Sequence, residues 1–131
     1  RVIAIDDTGV GGGVTDRLRE MGVPVLAVNF NQRPMGFLRH RKDLANARAE
    51  MYFLLEEELK DGVIALDDDE RLLQELTAVR LATTSHSTAY KLEEKELTRR
   101  RLGRSPDRAD ATALARYGLR LARHQERRLL L

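Results

Sequence analysis

Val2-Ile3-Ala4-Ile5-Asp6-Asp7-Thr8-Gly9-Val10-Gly11 carries a short apolar run straight into an acidic, glycine-rich turn. Val14, Leu18 and Met21 then recur at helical spacing, so the order reads strand, turn, helix. Such an order raises the question of a nucleotide-binding loop. Gly9-Val10-Gly11 matches the first half of G-x-G-x-x-G, but Val14 stands where the third glycine belongs, and no Gly-Lys-Ser/Thr occurs. Asp6 and Asp7 also place negative charge where a phosphate would sit. An acid ending a strand beside glycines is better suited to a cation, which hard oxygen ligands hold well. Asp6 is the candidate ligand, and Asp7 is read as turned to the other face. The same turn has a plain conformational reading, because Asp, Thr and Gly all favour turns.

Outward from this turn, α and β patterns alternate. Val2–Ile5 is read as a strand, Val14–Met21 as a helix stopped at Gly22, and Val23–Phe30 as a buried strand. Asn31–Lys42 is a loop with a basic cluster of Arg33, Arg39, His40, Arg41 and Lys42. Asp43 is read as the cap of a long helix to Lys60, with Leu44, Ala47, Met51, Leu54, Leu55 and Leu59 as its apolar stripe. Gly62 stops it. Val63–Leu66 reads as a short strand, and Asp67–Asp69 as the acidic opening of a helix through Val79, ordinary helix chemistry rather than a metal site. Arg80–Thr84 and Thr88–Glu93 form a candidate strand pair around Ser85-His86-Ser87. Helical patterns cover Glu94–Arg101 and Pro106–Arg128. The expected class is α/β with a mixed sheet flanked by helices.

The last helix carries a second acidic site in Ser105-Pro106-Asp107-Arg108-Ala109-Asp110. Serine is a favoured N-cap and proline is tolerated at the first helical position. Asp107 then falls in the first turn, where the helix dipole favours an acid. Asp110 lies deeper and shares a stripe with Leu114, Tyr117 and Leu121, the stripe expected to face the core. A carboxylate there needs a buried arginine partner, a metal or an altered protonation state. Acids on a strand end and a helix, far apart in sequence, are what a divalent-metal site requires.

Length and composition bound the rest. The chain has 131 residues, enough for one domain, residues 1–131, with 42% hydrophobic and 34% charged residues; that apolar share argues against general disorder. It has no cysteine, which removes disulfides and thiolate metal sites. No signal-peptide pattern or long apolar run is visible, so the reading is soluble, cytoplasmic and without a membrane partner. The net charge of +2 conceals an asymmetry: Thr98–Leu131 holds ten arginines against three acids. Such a block, continuing into a basic C-terminal segment over residues 116–131, marks a polyanion surface or a solvated helix face.

The motif order resembles the nuclease domain of phage terminase large subunits, the DNA-packaging motors. Val2–Gly11 followed by Gly13-Val14-Thr15-Asp16-Arg17-Leu18 resembles that family's middle acidic motif. Asn46-Ala47-Arg48-Ala49-Glu50-Met51-Tyr52 resembles its Asn-x-Arg-x-Glu helix, and Glu93-Glu94-Lys95 with Arg101–Ala111 resembles its C-terminal acidic motif. The resemblance implies an RNase H-like fold and two-metal cleavage of double-stranded DNA with Mg2+ or Mn2+. Asp6 matches the family's second metal-binding acid and Asp110 its last, with Asp107 an assisting position. Lys95, Arg99, Arg100, Arg101 and Arg104 would contact the DNA backbone. The motor domain and the portal would be partners in the full system.

The family's first catalytic acid lies on a strand upstream of the motif that opens this chain. The expectation is therefore a nuclease domain incomplete at its N-terminus, short of one metal ligand and weak or inactive alone. Asp7, Asp16 and Glu50 are the candidate substitutes. An unpaired sheet edge would favour homo-oligomers. The alternatives are a non-catalytic DNA-binding or packaging-assembly module of the same fold, and a small nucleotide-binding domain.

Overall fold

The computed structural model describes residues 1–9, 12–41, 43–82 and 88–131. Its elements in chain order are β1 (Ile3–Asp6), α1 (Gly12–Glu20), β2 (Val25–Val28), α2 (Ala47–Lys60), α3 (Glu70–Ala78), α4 (Lys95–Leu102) and α5 (Asp107–Leu129). The α/β class is as expected. β1 and β2 pair in parallel, from Ile3 opposite Val25 to Asp6 opposite Val28, so the first unit is a strand, a crossover helix and a parallel strand. α5 lies against both strands, and α2 packs along α5. The core between them holds Val28, Phe30, Met51, Leu54, Leu55, Leu114, Tyr117 and Leu121. Asp110, Leu114, Tyr117 and Leu121 are all buried, as their spacing requires.

Several boundaries differ from the sequence reading, each for a visible reason. Asn46, not Asp43, caps α2: its side chain accepts from Ala49 N–H at 2.9 Å, while Asp43 pairs with Arg41. The strand expected at Val63–Leu66 is absent, because the Val63 and Ile64 N–H groups both turn back to the Glu58 carbonyl and close the end of α2. Gly62 permits that reversal with φ +67°, a backbone conformation that costs a residue with a Cβ. Ser105 does not cap α5. Glu75 of α3 does so instead, its Oε2 accepting from Arg108 N–H at 2.7 Å and Ala109 N–H at 3.0 Å.

The mixed sheet is also smaller than expected. Among the described residues the named sheet is β1–β2 alone. Two isolated bridges lie beyond it, Leu44 with Tyr90 in parallel and Leu81 with Leu92 antiparallel. The second bridge is what the described residues contain of the pair expected at Arg80–Thr84 and Thr88–Glu93; Thr83–Ser87 lie outside the described residues, as do Val10, Gly11 and Lys42.

Sheet and helix approach closely at Gly118, where an added Cβ would sit 2.7 Å from Ala4 Cβ. Gly118→Ala is expected to cost about 1–3 kcal/mol through overpacking, although alanine is the better helix former by up to about 1 kcal/mol. Chemical denaturation of the two proteins gives the sign directly.

Candidate metal centre

Asp6 leaves the end of β1, and the turn after it is fixed by its own side chains. Asp6 Oδ1 accepts from Thr8 N–H at 3.0 Å, and Thr8 Oγ1 in turn accepts from Phe30 N–H at 2.9 Å. The turn is thereby tied to the exit of β2. Asp7 faces the other way, accepting from Thr15 Oγ1 at 2.9 Å on α1.

Lys95, the first residue of α4, brings the two acidic motifs together. Its Nζ lies 3.7 Å from Asp6 Oδ2 and 2.7 Å from Asp110 Oδ2. One ammonium touches both carboxylates, so acids more than a hundred residues apart in the chain share one site. Asp110 Oδ1 accepts from the Tyr52 hydroxyl at 2.6 Å. Burial, reinforced by the Asp110 charge, pushes the Tyr52 hydroxyl well above its ordinary range, so it acts as a neutral donor. Asp110 Oδ2 is buried and has no hydrogen bond; the ammonium approaches it at 2.7 Å as a charge rather than along a hydrogen-bond direction.

Arg48 closes the inner wall. Its Nη1 donates to the Glu93 carbonyl at 2.9 Å, and its Nη2 lies 3.9 Å from Asp110 Oδ1. The Nε and Nη2 atoms are buried without hydrogen-bond partners. Asp6, Thr8, Phe30, Arg48 and Lys95 line a cavity of about 320 Å³ together with Asn31, Asn46 and Glu94. Oxygen donors from Asp6 and Asp110 suit a hard divalent cation. Among the described residues, no group of three His, Cys, Asp or Glu side chains is gathered there.

The other sequence candidates fall elsewhere. Asp107 is exposed, three residues before the buried Asp110 in the first turn of α5. Asp16 pairs with Arg19 at 3.9 Å on the exposed face of α1. Glu50 is 1% exposed and fully committed: it accepts from the N–H groups of Met35, Gly36 and Phe37 and from the Tyr117 hydroxyl. Neither is available as a substitute ligand. Arg101 is bound to Glu93 and to the Ala78 carbonyl, and Arg104 approaches Glu75 at 3.4 Å. Arg99 and Arg100 are exposed and share Glu96, at 3.9 and 3.4 Å.

Three residues of the centre stood in the motifs of the sequence reading without a role there. Tyr52 and Arg48 share one face of α2, four residues apart. Glu93 was read only as part of Glu93-Glu94-Lys95. Its carboxylate accepts from Thr98 Oγ1 at 2.8 Å and from Arg101, which fixes the approach to α4 and so the position of Lys95.

No protein-family model and no curated protein matches the sequence. Solved structures do. The nuclease domain of the large terminase subunit gp2 of bacterial virus Sf6 aligns over 86% of this chain with TM-score 0.65 and 24% identity. The fold is that of a terminase nuclease domain. It is the RNase H-like fold that the motif order implied. A lysine-to-alanine variant of the Sf6 domain with manganese aligns over 86% of the chain with TM-score 0.65 and 24% identity, and one with calcium over the same share with TM-score 0.66 and 23% identity. The chain spans 63% of the length of each of these Sf6 domains.

Glu93 makes the support of the centre measurable. Burial raises its pKa, but the bonds from Arg101 and Thr98 prevail and hold it below the ordinary carboxylate range. A depressed native pKa means stability that is present above the unfolded value, about 4.3, and lost as pH falls through the native value. Glu93→Gln is expected to destabilise by about 1–3 kcal/mol at neutral pH, with the difference shrinking towards zero in acid. Urea denaturation at a series of pH values checks both.

Proposed function

We propose that this chain is part of a metal-dependent endonuclease domain that cleaves double-stranded DNA during phage genome packaging. The observation that carries the reading is the single ammonium shared by Asp6 and Asp110. Two acids brought to one point from a strand end and a helix, with one buried oxygen that no hydrogen bond satisfies, leave a place for a cation of higher charge. The Sf6 relatives that share the fold have manganese or calcium in their structures.

Asp6 and Asp110 would hold Mg2+ or Mn2+, which supplies Lewis-acid activation of water and stabilisation of the leaving oxygen in phosphodiester hydrolysis. The protein's own residues prepare that site. Tyr52 holds Asp110 in one rotamer. Arg48 places a fixed positive charge behind it. Lys95 offsets the repulsion between the two acids and, on a long flexible stem, can turn to a phosphate oxygen when they are otherwise engaged. Asp107, on the exposed side of the same helix turn, is the assisting acid in this reading. Terminase motor and portal components are the proposed partners, in the host cytoplasm.

A second reading has its own support. With only two carboxylates converging among the described residues, a module that binds DNA or packaging components without cutting is compatible with the same fold. Mn2+ titration by calorimetry separates the two. Asp6→Asn and Asp110→Asn are each expected to weaken Mn2+ binding by more than about 100-fold, since even an outer partner of a metal ligand is worth about 10–100-fold. Mn2+-dependent nicking of a supercoiled plasmid should fall with them. Variants that bind Mn2+ as the parent does would remove the nuclease reading and leave the binding module.

A further inference from the structure

The arginines of α4, and Arg104 just beyond its end, are poorly placed to grip a polyanion, because their charge is already engaged. Arg101 and Arg104 are held by the buried acids Glu93 and Glu75, and the exposed Arg99 and Arg100 divide one carboxylate between them. A phosphate contact draws its affinity from a cation that gives up only mobile counterions; a cation with a neighbouring carboxylate has less to offer.

The loop from Asn31 to Arg41 is the opposite case. Arg33 and Arg39 are exposed and form no hydrogen bond or ion pair among the described residues. The backbone that carries them is nonetheless held firmly. Glu50 accepts three consecutive N–H groups beneath it, at Met35, Gly36 and Phe37, at 2.7, 2.9 and 3.1 Å. Leu38 is buried as a plug, and Gly36 takes φ +79°. A buried carboxylate spent on the inside of a surface loop makes sense when the loop must keep one shape.

Position completes the argument. Arg33 and Arg39 line a cavity of about 630 Å³ with Pro34, Leu38 and Leu44. Asn31 and Asn46, next to it in the chain at both sides, line the cavity of Asp6 and Lys95. The basic loop and the acidic centre are therefore neighbouring parts of one surface.

We propose that the loop over residues 31–41 is the track that grips the duplex backbone, with Arg33 and Arg39 as phosphate contacts and Glu50 as the positioning residue that presets them. The proposal rests on the nucleic-acid reading above and assigns the grip to this loop rather than to α4.

Fluorescence anisotropy with a labelled DNA duplex in the presence of a chelator tests it without metal or cleavage, across a series of salt concentrations. Each lost phosphate contact lowers the slope of log K against log salt by about one. The Arg33→Gln/Arg39→Gln double variant is expected to lower that slope by about two, with Arg99→Gln/Arg100→Gln close to the parent. All four side chains are exposed, so the fold is not at stake. A loop variant with the parent slope overturns the proposal. If the parent protein itself binds no duplex at any salt, the nucleic-acid reading falls, and this proposal with it.

Discussion

A carboxylate removed from water must be given hydrogen bonds or a counter-charge, and this fold is organised around that requirement. Among the described residues Glu50, Glu58, Glu75, Glu93 and Asp110 are all buried. Each sits where two parts of the chain meet. Glu50 joins the 31–41 loop to α5 through Tyr117. Glu58 takes Arg116 at 2.7 Å and fastens α2 to α5, Glu75 caps α5 from α3, and Glu93 secures the start of α4. Hydrophobic burial drives the collapse, but it is non-directional. The acids, each with a fixed set of donors, specify how the helices are set against one another; removing a partner would leave a buried charge uncompensated.

Asp110 departs from this pattern. The other four buried acids are met by backbone amides, hydroxyls or guanidinium forks, partners fixed in place by packing. Asp110 has one such partner, Tyr52, and otherwise depends on an ammonium whose side chain is 43% exposed. A carboxylate kept for stability alone would gain from a second fixed donor, and Arg48 is within 3.9 Å without forming a hydrogen bond. A site that stays incompletely satisfied inside an otherwise well-satisfied structure is where function is expected to reside.

What was legible in the sequence was what depends on local pattern. The Asp110–Leu121 stripe, the Asp69 cap of α3 and the strand that ends in Asp6 follow from period and residue type, and all are found. What failed depended on partners distant in the chain. Ser105 looked like the cap of α5, yet Glu75 reaches the same N–H groups from more than thirty residues away. Asp43 and Asn46 were equally good capping residues by type, and Arg41 decided between them by occupying Asp43. Val63–Leu66 had the composition of a strand, but Gly62 let its amides close the helix before them. At the centre, the two acids were readable because each sits on a regular element. Lys95 was read as a contact to the DNA backbone; that it stands between those acids depends on Glu93 and Arg48 holding the approach to α4.

The centre therefore belongs to no single segment. Asp6 comes from β1, Arg48 and Tyr52 from α2, Lys95 from α4 and Asp110 from α5. The Arg48 bond to the Glu93 carbonyl ties two of these elements directly, and the contact of Gly118 with Ala4 sets the depth at which α5 lies on β1. A ligand set must be held to within about 0.5 Å to be useful, so its accuracy is inherited from the packing of the whole domain. Surface residues can change without consequence for it, but the relative placement of one strand end and three helices cannot drift without dispersing these side chains.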